Sequence, residues 1–82
     1  MKIIGVYNSV TEKYVNKQVT ELKQLGYEAD AITVEEAKNY LDSVSTPSFF
    51  LIKNDKFGYA LNGKHDFTKI LQWVKNSGIV CK

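Results

Sequence analysis

The chain has 82 residues, 11 basic against 9 acidic for a net charge of +2, with 44% hydrophobic and 12% aromatic side chains and a single Cys. By length, residues 1–82 form one domain, and a chain of this size buries roughly 60% of its unfolded surface, enough to fold alone with a small margin. These figures argue against disorder and nucleic-acid binding; one Cys excludes an intrachain disulfide and a Cys-cluster zinc site, so no metal is expected.

Lys2 to Tyr7 is β-branched and aromatic without polar alternation, which predicts a strand buried on both faces. This opening lacks the features of a signal peptide, and no apolar run approaches ~18 residues, so a cytoplasmic protein without a membrane span is the expectation. Ser9-Val10-Thr11-Glu12 fits the S-x-x-E capping box. Val15, Val19 and Leu22 follow at helical spacing, and Gly26 stands where a C′ glycine belongs, which predicts a helix over 10–25. Residues 27–33 read as a second strand. Thr33-Val34-Glu35-Glu36 is another capping box, and Ala37, Tyr40, Leu41 and Val44 share one face of a short helix over 34–43.

Pro47, the only proline, directly precedes the apolar run Ser48 to Lys53, and a proline is tolerated at the first residue of a strand. Asn54-Asp55-Lys56 makes a hairpin loop, and Phe57 to Leu61 returns antiparallel. After the Asn62-Gly63 turn, Asp66 caps a last helix with Phe67, Ile70, Leu71 and Val74 on one face and Gly78 past its end. Trp73 sits at the margin of that face, as core or partial cover. Residues 79–82 carry no clear pattern. The order βαβαββα implies an α/β domain with a mixed four-stranded sheet, covered by helices on both faces because strands one and three are apolar throughout.

All 11 basic residues are Lys. Arg is the main bidentate reader of guanine and phosphate, so its absence further disfavours an arginine-based anion site or sequence-specific DNA recognition.

The element order, the length, and Thr46-Pro47-Ser48-Phe49-Phe50-Leu51-Ile52-Lys53-Asn54-Asp55 together resemble the thioredoxin-like superfamily in its minimal glutaredoxin form. In that family a cis-proline opens a strand that ends in a Lys-Asn turn, and a glycine similar to Gly63 precedes the last helix. The resemblance covers residues 2–76. It implies that the residue before the cis-proline offers its backbone N–H and C=O to an extended peptide or to glutathione, much as an added strand would.

The departure lies after strand one, where the family carries Cys-x-x-Cys at the start of helix one. Counted from Tyr7, those slots hold Glu12 and Val15; a one-residue shift gives Thr11 and Tyr14. Disulfide exchange needs a thiolate activated near the helix N-terminus and a second thiol to resolve the mixed disulfide. A carboxylate at Glu12 and an isopropyl group at Val15 do neither. Dithiol oxidoreductase activity is therefore not expected.

The expectation is a redox-inactive glutaredoxin/thioredoxin-like domain that binds a protein or peptide through a groove beside Pro47, lined by Tyr7, Glu12, Tyr14 and Thr46. The alternative is a degenerate oxidoreductase or glutathione-linked protein that uses Cys81 as a lone thiol. No cofactor is expected, with glutathione the small ligand the resemblance implies. The partner is another protein rather than nucleic acid or membrane. Plainer roles stand beside these: Glu12 completes a capping box, Tyr14 is an exposed helix aromatic, and Cys81 is an idle thiol. His65, between Lys64 and Asp66, is a surface-loop histidine without a ligand set.

Overall fold

The computed structural model describes residues 2–54 and 56–78. Strand β1 (Lys2–Tyr7) is followed by α1 (Glu12–Gln24), β2 (Ala29–Thr33) and α2 (Val34–Ala37). Then come β3 (Ser48–Lys53), β4 (Lys56–Asn62) and α3 (Phe67–Asn76). The sheet order is β2-β1-β3-β4, with β1 parallel to β2 and antiparallel to β3, and β3 antiparallel to β4. The two strands with unbroken apolar runs are thus the two interior ones.

Alternation along these strands feeds two cores. Ile3, Phe49 and Leu51 meet Val15, Val19 and Leu22 of α1 and Ile70, Trp73 and Val74 of α3. On the opposite face Ile4, Val6 and Phe50 meet Ala37 of α2. Gly5 faces α1, and a Cβ there would lie 2.6 Å from Val15 Cγ1 and 3.1 Å from Phe49 Cε1. The absence of a side chain is what lets α1 settle onto β1.

Three local expectations are corrected. Helix α1 begins at Glu12, with Thr11 as an N-cap that makes no side-chain cap bond, so the Ser9 capping box is not formed. Asn8 organises the turn instead: its Oδ1 accepts from the Val10 and Thr11 N–H groups and the Thr11 hydroxyl, each at 3.0 Å. Thr11 Oγ1 in turn accepts from the Asn8 N–H at 3.0 Å. Helix α2 ends at Ala37 rather than 43, although the Thr33 hydroxyl does cap it by accepting from the Glu36 N–H at 3.2 Å. Its continuation is a turn in which the Leu41 N–H still donates to the Ala37 carbonyl at 3.0 Å. Tyr40 stays on the side of Ala37, Leu41 and Val44, stacking at 5.1 Å on Phe57, which packs against the same core. With only Ala37 buried, one turn gains too little from packing to propagate.

Strand β4 returns antiparallel as expected, and the third correction is that it starts at Lys56, which the hairpin loop was expected to contain. Phe49 pairs with Leu61 but Leu51 pairs with Gly58, so β4 holds one extra residue, a β-bulge, between these registers. Tyr59 sits within it at φ +49°. Four residues apart, Phe57 and Leu61 would share a face in a regular strand. The bulge sends Phe57 to the α2 side and Leu61 to the α1/α3 side.

Helix α3 starts as expected, with Asp66 Oδ1 accepting from the Lys69 N–H at 2.9 Å, and Trp73 joins the core at 8% exposure. Gly26 and Gly78 follow the first and last helices at φ +96° and +86°, the left-handed termination that glycine favours. Among the described residues no helix is long and apolar enough to cross a membrane.

Candidate functional site

Antiparallel pairing of β1 with β3, with Val6 opposite Ser48, brings the end of one strand to the start of the other. The segment before β3 therefore lies beside the turn that follows β1. Pairing of Ser48 with Asn62 adds the end of β4. Three connections converge here: residues 8–11, 45–47 and 63–66.

Long-range hydrogen bonds tie them together. Asn8 Nδ2 donates to Thr46 Oγ1 at 2.9 Å, joining the first connection to the second. The Thr46–Pro47 peptide bond is cis. The Gly63 N–H donates to the Pro47 carbonyl at 2.8 Å, joining the second connection to the third. Gly63 has φ +91°, a conformation glycine reaches without cost. Ser48 Oγ donates to the Ser45 carbonyl at 2.8 Å. The third connection closes onto α1 through Tyr14, whose hydroxyl accepts from the His65 N–H at 2.9 Å and donates to the His65 carbonyl.

The expected site residues occupy different layers of this arrangement. Thr46 is half-buried, and Pro47 is buried beneath it. Among the described residues no partner within the chain engages the Thr46 backbone N–H or C=O, while its hydroxyl is taken by Asn8. Glu12 is exposed in the first turn of α1, where a carboxylate suits the positive end of the helix dipole. Tyr7 is half-buried and packs on the α1/α3 core.

Tyr14 is not an exposed aromatic. Its ring meets Phe49 edge-on at 6.4 Å, and Lys64 Nζ stands 5.4 Å from its centroid. Val15 is fully buried against Gly5, so of the two slots where the family carries cysteines only Glu12 reaches solvent. His65 is half-buried rather than on the surface, and its Nε2 bonds the Asn62 carbonyl at 2.8 Å. Cys81 lies outside the described residues.

Two contributors escaped sequence reasoning. Asn8 is the hub of the site, and its signal was an Asn-x-x-Thr preceding a helix, a pattern suited to an Asx turn. Val10 is 87% exposed at the tip of the same turn, a large apolar side chain left in water beside Thr46's neighbour Asn8.

No protein-family model matches this sequence, and no curated protein matches it. Among solved structures, thioredoxin 1 from the thermophilic eubacterium Thermosipho africanus superposes with a TM-score of 0.68 at 17% identity, over 94% of this chain and 93% of that one. The chain has a thioredoxin-like α/β fold, with a mixed four-stranded sheet and three helices.

Proposed function

We propose that this chain is a redox-inactive member of its fold class that binds an extended protein segment beside Thr46 and Pro47. The observation that carries the proposal is the backbone of Thr46: a free donor and acceptor next to Pro47, on a segment held in place by Asn8 and Gly63. An extended peptide answers such a pair by strand-like hydrogen bonding. Exposed Val10 supplies an apolar contact on one flank, and Glu12 gives the site one charge. The chemistry of thiol exchange is not part of the proposal, because Glu12 and Val15 stand where the resemblance would put two thiols. A cytoplasmic setting and a protein partner belong to the same proposal. Glutathione, itself a short peptide, is the small-molecule form of the ligand.

Peptides selected from a random library against the isotope-labelled protein test this by NMR. Binding should shift the amide signals of Asn8, Val10 and Thr46 together. Val10→Asp should weaken binding about ten-fold, the loss of one apolar anchor placed against a charge. Selected peptides that shift only residues remote from Thr46, or bind Val10→Asp equally well, reject the groove. Glutathione enters as a parallel titration. Insulin reduction above background, abolished by Cys81→Ser, would overturn redox inactivity.

A further inference from the structure

Asn62-Gly63 is the only Asn-Gly pair in the chain, and it stands where β4 ends and the connection to α3 begins. Such a pair is open to a reaction that needs no enzyme. The Gly63 amide nitrogen loses its proton to base and attacks the side-chain Cγ of Asn62. A bond from that nitrogen to Cγ forms, the Cγ–Nδ2 bond breaks, and ammonia leaves, taking back the proton. Water then opens the cyclic imide at one of its two carbonyls, and the product is aspartate or isoaspartate. Asparagine is thermolabile through this chemistry, and a following glycine favours it because no side chain hinders the attacking nitrogen. Asn62 and Gly63 are both exposed, so water and base reach them.

The fold works against the first step. The attacking nitrogen is the one whose N–H donates to the Pro47 carbonyl at 2.8 Å. The residue it attacks is also held. Asn62 pairs with Ser48 of β3. His65 Nε2 donates to its carbonyl at 2.8 Å, and Ser45 Oγ donates to its Oδ1 at 3.4 Å. The reaction therefore requires the Gly63–Pro47 hydrogen bond to open and the carboxamide to leave Ser45. The two products then differ in what they leave behind. Aspartate keeps the original backbone. Isoaspartate runs the backbone through Cβ and Cγ, which lengthens it by one carbon before the Gly63 nitrogen. The carbonyl that His65 binds becomes a free carboxylate, and the Gly63 N–H falls out of register with Pro47.

We propose that Asn62 is a site of spontaneous covalent modification whose rate is set by the Gly63–Pro47 hydrogen bond, and that its isoaspartyl product unties the Pro47 segment from the end of β4. Opening of this corner is reversible in the unmodified chain. The longer backbone makes it permanent, so the modified fraction records how much the corner has opened.

The isotope-labelled full chain and a synthetic peptide of residues 57–64 are incubated in warm, mildly alkaline buffer. Trypsin releases the same segment from the chain, because Lys56 and Lys64 bound it, and its mass reports conversion of Asn62. Hydrogen exchange of the Gly63 amide is followed by NMR on the same sample. The folded chain should deamidate about ten-fold or more slowly than the peptide, as expected of a group that reacts only from an open state, with Gly63 exchange also slowed. Enough urea to unfold the chain should raise its rate to the peptide's. The purified isoaspartyl chain should lose Gly63 protection while the β1 amides keep theirs. Asn62→Asp, which has the backbone of the ordinary product, should keep both. The proposal is overturned if the folded chain deamidates as fast as the peptide, or if Gly63 exchanges unprotected in the unmodified chain. It is equally overturned if the isoaspartyl chain protects Gly63 as well as Asn62→Asp does, or if its β1 amides lose protection too.

Discussion

Gly5 shows how one missing side chain sets the spacing between β1 and α1. A methyl group there would overlap Val15 and press on Phe49 and Val19, all buried, so the nearest atoms cannot move into solvent. Gly5→Ala should cost about 1–3 kcal/mol, the usual penalty for overpacking, measured as a lower urea midpoint. Tyr14 is also structural. Tyr14→Phe removes both contacts to His65 and leaves that loop's backbone groups to find water, a loss of about 1–3 kcal/mol in the same assay. Asp30 sets a smaller effect with a definite pH direction. Its hydrogen bond to Lys2, with burial opposing and the charge of Lys2 reinforcing, holds the carboxyl below its ordinary value. A lowered folded-state value stabilises above the usual carboxylate range and loses that contribution as pH falls through the lowered value. Both side chains are substantially exposed, so Asp30→Asn should cost less than ~1 kcal/mol at neutral pH. The gap should narrow in high salt and close on acidification.

At the scale of elements, helix starts separate what is visible in a sequence from what is not. Asp66 and Thr33 cap α3 and α2 as local patterns indicate, because a cap bond reaches only three residues ahead. The same rule placed a capping box at Ser9, and there a competing local motif won: Asn8 already binds the amides of Val10 and Thr11. Asn8→Ala should therefore cost about 1–2 kcal/mol, while Ser9→Ala should leave the urea midpoint unchanged. The contact from Asn8 to Thr46 spans 38 positions, which no local pattern reports. Helix α2 is shorter than its spacing indicates because Ala37 is its only buried residue. Tyr40 lies past its end and stacks on Phe57, a partner distant in sequence. The bulge in β4 was equally hidden, with Gly58 as its sole local hint.

For the molecule as a whole, the strand order follows from hydrophobic pattern because only interior strands bury both faces. The apolar runs of β1 and β3 identify them as the central pair, and the rest of the topology follows from short, right-handed connections. The place of Thr46-Pro47 directly before β3 is legible in the sequence, but the inward turn of Tyr14 and the burial of Val15 are not. Those depend on how closely α1 approaches the sheet, which the single atom at Gly5 decides. Phe49 binds the larger core together, touching the rings of both Tyr14 and Trp73 while fully buried. Phe49→Ala should cost about 3–5 kcal/mol, comparable with the roughly 5–15 kcal/mol that stabilises a domain, and should leave much of the protein unfolded on warming in circular dichroism.

The irregularity of β4 also bears on how copies of this protein behave at high concentration. An open-edged sheet offers unpaired backbone groups to any other strand, and β4 is one of its two edges. The extra residue interrupts that row of donors and acceptors halfway along, and Lys56 sets an exposed charge at its beginning. A straight β4 would be a template for edge-to-edge growth; a bent one is a poor one. Deleting Ala60 restores the two-residue repeat, and concentration-dependent association in light scattering is the expected result, against a monodisperse signal for the intact chain.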